Sequence, residues 1–214
     1  MRLLRNSGTD RAVDLLRDWL TSDTQVDVVS PSFSLWAYSE IKDFLDRVDR
    51  CRLLLGEPDS IASSLLGGDG DIAFRGQLQG RWLARTAGDW ISRKTEIRNA
   101  RKAPPQSLIF VRGSSSPGRA MMGTCSLTTE GLGLTPSGRL GLVQATDADA
   151  EAASYADWFE SNWDDLHGES GAKASLLASL EDMASQRAPS VVYFQILYQM
   201  FSNCSPHSPV ARLI

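Results

Sequence analysis

The chain has 214 residues, 42% hydrophobic and 22% charged, with a formal net charge of −4, enough to enclose a core as one domain or as one domain plus an appendage. No apolar run approaches the ~20 residues of a membrane helix, and residues 1–6 lack the apolar segment of a secretory signal. Three dispersed cysteines, Cys51, Cys125 and Cys204, argue against a disulfide framework and set the expectation of a reducing, cytoplasmic setting with no membrane partner.

In chain order, Thr9 or Asp10 is placed to cap a helix running to about Leu20, with Val13, Leu16 and Leu20 on one face. Residues 25–30 alternate as a strand that stops at Pro31. Residues 37–48 carry Ile41, Phe44, Leu45 and Val48 at helical spacing, and residues 51–56 read as a buried strand. Together they form a βαβ unit, for which parallel pairing is expected. The loop after it holds Gly67-Gly68-Asp69-Gly70-Asp71, but no Gly-Lys-Ser/Thr follows, so it is not a phosphate cradle. A helix over 76–91 places Leu78, Trp82, Leu83 and Trp90 mostly on one side, and a short strand over 94–98 follows.

From Ser107 the pattern turns to strands, over 107–111, 120–123 and 139–143. A helix from near Asp147 carries Tyr155, Trp158, Phe159 and Trp163, read as core, and ends at His167-Gly168. Two more helices are expected, over 172–185 and 190–201. The last is apolar nearly all round, so it is either central or covered by another subunit or a downstream domain. The expected division is an α/β domain over 1–146, helices packing on it over 147–201 and an irregular tail over 202–214. That patternless tail points to a truncated relative of a longer protein.

Charge is unevenly distributed. Residues 81–120 hold nine basic side chains against Asp89 and Glu96, a local balance of +7, whereas residues 145–186 hold ten acids against Lys173, a balance of −9. A basic middle is a candidate polyanion site, although two faces of opposite sign can also satisfy each other, and a pI near 5.2 is far from that of a typical nucleic-acid binder.

Three blocks carry a resemblance. Residues 24–36 (Thr-Gln-Val-Asp-Val-Val-Ser-Pro-Ser-Phe-Ser-Leu-Trp) lead to Cys51-Arg52-Leu53-Leu54-Leu55-Gly56. Residues 121–132 read Met-Met-Gly-Thr-Cys-Ser-Leu-Thr-Thr-Glu-Gly-Leu, and residues 158–163 read Trp-Phe-Glu-Ser-Asn-Trp. In that order they resemble the phospholipase D-like (HKD) superfamily, and within it the N-terminal domain of Swi/Snf- and DEAD-type helicase-like proteins. The resemblance, over roughly residues 5–200, implies a mixed sheet flanked by helices with a C-terminal helical extension. It also implies a site shared by two chains, hence a homodimer, or a downstream helicase domain as partner.

The chemistry of that superfamily uses a His nucleophile on phosphorus, a Lys two positions later, and a Gly-Ser-x-Asn segment that donates to the developing oxyanion. Aligned on the strand over 108–110, Pro104 stands at the His position and Gln106 at the Lys position. Thr124 keeps a hydroxyl in place of Ser, Ser126 replaces Asn, and Arg139 stands where an acid is frequent. The only histidines, His167 and His207, lie too far downstream for a shifted register to supply the nucleophile. The expectation is a catalytically degenerate copy without cofactor or metal. Arg98, Arg101, Lys102, Arg112 and Thr124 remain as candidates for binding phosphate or nucleic acid. Cys125 with His167 as base is a weaker catalytic candidate, the simpler reading being a small buried residue in a tight turn. The function expected is DNA or partner binding, or dimerisation, in a helicase-associated DNA-processing or defence protein. The alternatives are an active phosphodiesterase or nuclease and a purely structural docking module.

Overall fold

The two apolar runs expected to pair do so. β2 (Thr24–Ser30) and β3 (Arg50–Leu55) lie parallel, with Val26 opposite Cys51 and Val28 opposite Leu53, joined by α2 (Leu35–Leu45). A second crossover through α3 (Gly80–Lys94) sets β4 (Thr95–Asn99) parallel to β3. The chain then moves to the other side of β2, where β5 (Ser107–Gly113) and β6 (Arg119–Gly123) run as an antiparallel meander. β7 (Val143–Thr146) and β1 (Arg2–Leu4) close that edge, giving a seven-stranded mixed sheet in the order β1-β7-β6-β5-β2-β3-β4. This is the α/β class expected from the sequence, and among the described residues the sheet does not close into a barrel. The computed structural model describes residues 1–57, 65, 67, 80–100, 104, 106–113, 118–138, 141–166 and 171–185.

Because β-strand side chains alternate, the sheet has two faces with different coverings. Val26, Val28, Leu53, Leu55, Ile97, Ile109 and Val111 face a large core completed by α1 (Ala12–Trp19), α2, α3 and α5 (Ala172–Ser185). Val29, Leu54, Leu108, Phe110 and Ala120 face a smaller one, closed by Ala152, Phe159 and Trp163 of α4 (Asp149–Asp164). Residues 1–184 form one compact unit, so the helices from Asp149 onward belong with the sheet. The second unit, Ser185–Ile214, lies almost wholly outside the described residues, as does the expected helix over 190–201. Among the described residues no helix is long and apolar enough to cross a membrane.

Several sequence expectations need correction. Neither Thr9 nor Asp10 caps α1: the helix begins at Ala12, whose N–H donates to Asn6 Oδ1 at 2.9 Å, while Asp10 accepts from the Arg5 N–H and the Arg2 guanidinium. Of the strand expected over 139–143, only Val143 lies in β7 (Val143–Thr146); Gly141 and Leu142 precede it, and Arg139 and Leu140 lie outside the described residues. α3 runs on to Lys94, so β4 starts one residue later than expected. Trp82 and Trp158 are 52% and 50% exposed rather than core. Each sits about 100° around its helix from the buried neighbour, Leu83 or Phe159 respectively, that follows it.

Gly123 ends β6 at φ 128°, and a Cβ there would lie 2.0 Å from the Leu142 carbonyl oxygen. Gly88, inside α3, has nothing within 4 Å of its missing Cβ. Gly123→Ala is therefore expected to cost about 2 kcal/mol or more, and Gly88→Ala to stabilise by roughly 0.5–1 kcal/mol. Urea unfolding of the two variants beside the parent checks both signs.

Candidate functional site

In an open α/β sheet, ligands enter beyond the carboxyl end of the strand from which the chain departs in both directions. That strand is β2, flanked by β3 on one side and β5 on the other. Ser107 at the start of β5 and Gly123 at the end of β6 lie at the same sheet edge. The segments aligned with the expected catalytic motif therefore do converge on one place: Pro104 and Gln106 precede β5, and Thr124 and Ser126 follow β6.

What fills that edge is a lattice of hydroxyls and backbone groups. Ser30 Oγ donates to the Ser32 carbonyl at 2.7 Å and accepts from the Leu127 N–H at 3.0 Å. The Ser34 N–H donates to the Leu127 carbonyl at 2.9 Å, and Ser34 Oγ caps α2 by accepting from the Trp36 N–H. Ser30, Ser34, Ser107, Cys125 and Thr129 are all buried. Downstream, Ser126 Oγ and Thr128 Oγ1 share a 2.9 Å hydrogen bond, and Thr128 Oγ1 accepts the Gly131 N–H. Asn6 Nδ2 donates to the Gly131 carbonyl at 2.8 Å and so ties the loop to the start of α1. Thr124 is exposed, and its hydroxyl reaches the Leu142 carbonyl at 3.4 Å. Gln106 is exposed and Pro104 half-buried.

Cys125 cannot serve as a ready nucleophile. Its thiol donates weakly to the Ser107 and Met121 carbonyls, and burial pushes its pKa up to about 12. Cys51 is likewise held protonated by burial. His167, His207, Arg101, Lys102, Arg139 and Cys204 lie outside the described residues. Among the described residues no group of His, Cys, Asp or Glu is arranged to hold a metal ion.

The charged chemistry sits elsewhere, on the face beneath α4. Asp27 and Arg52 are directly opposite in the β2–β3 register, with side chains only 3% and 6% exposed. Arg52 grips Asp27 through two bonds, Nε to Oδ1 at 2.6 Å and Nη2 to Oδ2 at 2.8 Å. Its remaining edge donates to both Glu160 oxygens, at 2.9 and 2.7 Å. Arg112 adds Nη2 to Asp27 at 3.1 Å and to Glu160 at 3.3 Å. The Arg52 guanidinium also lies 4.8 Å from the Phe159 ring centroid and 5.4 Å from that of Trp163. Arg98 sits 4.3 Å from the Trp163 ring centroid and donates to the Trp163 carbonyl in the last turn of α4, a carbonyl that also accepts the Leu166 N–H.

Two of the cations singled out for phosphate binding, Arg98 and Arg112, are thus occupied in fastening α4. Freeing a charged hydrogen bond of that kind costs roughly 1.5–3 kcal/mol. Among the described residues, two further basic side chains of the same stretch lie on the far side of the sheet, on α3. Trp82, Arg85, Asp89 and Arg93 are exposed there, and Lys42 of α2 stands 5.6 Å from the Trp82 ring centroid. Arg85 forms no ion pair among the described residues, and Arg93 Nε reaches only the Asp89 carbonyl in its own helix. Charge counting along the sequence could not separate these two sets. Their elements separate them: Arg98 and Arg112 lie on β4 and β5, whereas Arg85 and Arg93 lie eight residues apart on α3.

No family model and no curated protein sequence matches the chain. Among solved structures it is similar to TrmBL2, described as an archaeal chromatin protein showing a novel mode of DNA binding. That superposition has a TM-score of 0.39 at 12% identity, over 77% of this chain and 51% of the other. The chain thus spans about half the length of that neighbour. Likeness of that degree transfers no chemistry.

Two predictions follow from the Asp27 cluster. Arg52→Met alone strands a buried carboxylate and is expected to cost about 3–5 kcal/mol, whereas the Asp27→Leu/Arg52→Met pair is expected to regain most of it; urea denaturation of the single and double variants measures both. Glu160 is held down to about 2 chiefly by its hydrogen bonds to Arg52. A depressed carboxyl stabilises the fold above its ordinary value of 4.5, and that contribution is lost as pH falls towards 2. Discounted for its partial exposure, it amounts to about 1–2 kcal/mol, so the stability gap between the parent and Glu160→Gln should close across that window.

Proposed function

We propose that this chain is a non-catalytic domain of phospholipase D-like type that binds nucleic acid by charge, in the setting of a helicase-associated DNA-processing or defence protein. The observation that supports it best is the outward stripe of α3, where Arg85 and Arg93 are uncommitted and Trp82 lies exposed between them and Arg81. Cations interleaved with an aromatic ring suit a phosphate backbone with accessible bases. At the carboxyl end of β2 the described hydroxyls are already spent on backbone groups and on one another. In this reading Arg85 and Arg93 make the primary contacts. Thr124, with Arg101 and Lys102 of the sequence motif, is secondary, and Arg98 and Arg112 act by holding α4.

Binding to a labelled duplex and a labelled single strand across a salt series tests this. Affinity in the non-specific range, a Kd of about 10⁻⁴–10⁻⁶ M at physiological salt, should fall as salt rises. Arg85→Ala/Arg93→Ala should weaken it about tenfold and reduce the salt slope by about 2. Affinity that ignores salt, or that is unchanged in the double variant, overturns the proposal.

A further inference from the structure

α3 and α4 are similar in length, at 15 and 16 residues, or about 22–24 Å. Each is buried along one side only, and the two lie on opposite faces of the same sheet. Their outward faces have opposite sign. On α3 the exposed charges are Arg85 and Arg93 against Asp89, with Arg81 and Lys94 half-buried and donating to backbone carbonyls, while α4 contains five acids and no basic residue. On α4 the exposed residues include Asp149, Asp157 and Trp158; Asp157 and Asp149 form no ion pair among the described residues. Each helix also presents one half-exposed tryptophan, Trp82 and Trp158.

The spacing agrees as well as the sign. Arg85 and Arg93 are eight residues apart, about 12 Å along the axis, and Asp149 and Asp157 are also eight apart. A single copy cannot join these faces, because the sheet lies between them.

We infer that the α3 face of one copy docks on the α4 face of a second copy, in a head-to-tail contact held by the Arg85/Arg93 and Asp149/Asp157 pairs with Trp82 packed beside them. Such a contact leaves one face of each sign open at the ends, so it propagates unless the rotation closes a ring. One pair of helices buries less than the ~1,200 Å² of a standard stable interface, so the association is weak and dependent on concentration and salt. It requires no nucleic acid and stands apart from the proposed function, although a polyanion bound on α3 would compete with it.

Sedimentation velocity of the full chain between about 10 and 500 μM, without nucleic acid, gives the test. At about 50 mM salt the mean mass should rise with concentration, and at about 0.5 M it should return to that of the single chain. Arg85→Glu/Arg93→Glu and Asp149→Lys/Asp157→Lys should each abolish association alone, and an equimolar mixture of the two should restore it. All four positions are exposed, and a circular-dichroism melt confirms folding of each variant. Absence of association in the parent, its survival in either double variant, or failure of the folded mixture to restore it overturns the inference. Survival would indicate instead an interface with two-fold symmetry elsewhere on the chain.

Discussion

The Arg52–Asp27 pair is the constraint on which the α4 side of the molecule depends. Both ions lie on the central strands and are almost wholly withdrawn from water. Removing a carboxylate and a guanidinium from solvent costs several kcal/mol each, and one paired contact repays this only when the remaining donors are also used. Arg52 has a second edge to satisfy, and Glu160 is the group that satisfies it. That requirement fixes the rotation of α4: with Glu160 turned to the sheet, Phe159 and Trp163 fall over the same guanidinium, and Ala152 reaches the apolar patch around Phe110 and Ala120. Two apolar residues in place of the pair would pack without that cost, but would leave α4 free to choose its register on the sheet.

The same network determines what is left for function. Arg112 joins it from β5, and Arg98 is drawn to the carboxyl end of α4 by the Trp163 ring and carbonyl. At the opposite sheet edge the carboxyl end of β2 is closed in a different way, by hydroxyls short enough to bond their own backbone neighbours. Such groups hold the 124–138 loop firmly, with Asn6 bridging it to α1. None of them carries a charge or a proton of the right affinity to open a phosphodiester.

Much of the fold was legible because its signals are local. The apolar runs at 26–29 and 51–55, the helix over 172–185 and the parallel βαβ pairing follow from periodicity alone. β1 was not legible, since three residues paired only with β7 have no pattern of their own. Asp27 alternates with valines like the polar side of a half-exposed strand, and only α4, more than 120 residues away, turns that side into an interior. The convergence of Pro104, Gln106, Thr124 and Ser126 on one sheet edge was legible from the motif order, but the hydrogen bonds that spend their neighbours were not. They depend on Ser30 and Leu127 meeting across 97 residues.

The uneven charge of the sequence also changes meaning once the layers are known. Of the nine basic residues between 81 and 120, Arg112 pairs with Asp27 and Glu160, Arg98 is held by the Trp163 carbonyl, and Lys94 is spent on the Asp46 and Val48 carbonyls. The local sum of +7 therefore overstates the field that a partner meets. Among the described residues of the two helices, what reaches solvent is a short positive stripe on α3, on one face of the sheet, and a longer negative one on α4, on the other. These stripes are separated by roughly two layer spacings of ~10 Å, beyond the ~8–10 Å over which exposed charges act at physiological salt. Neither stripe can relieve the other within one molecule, so whatever each of them attracts has to come from outside it.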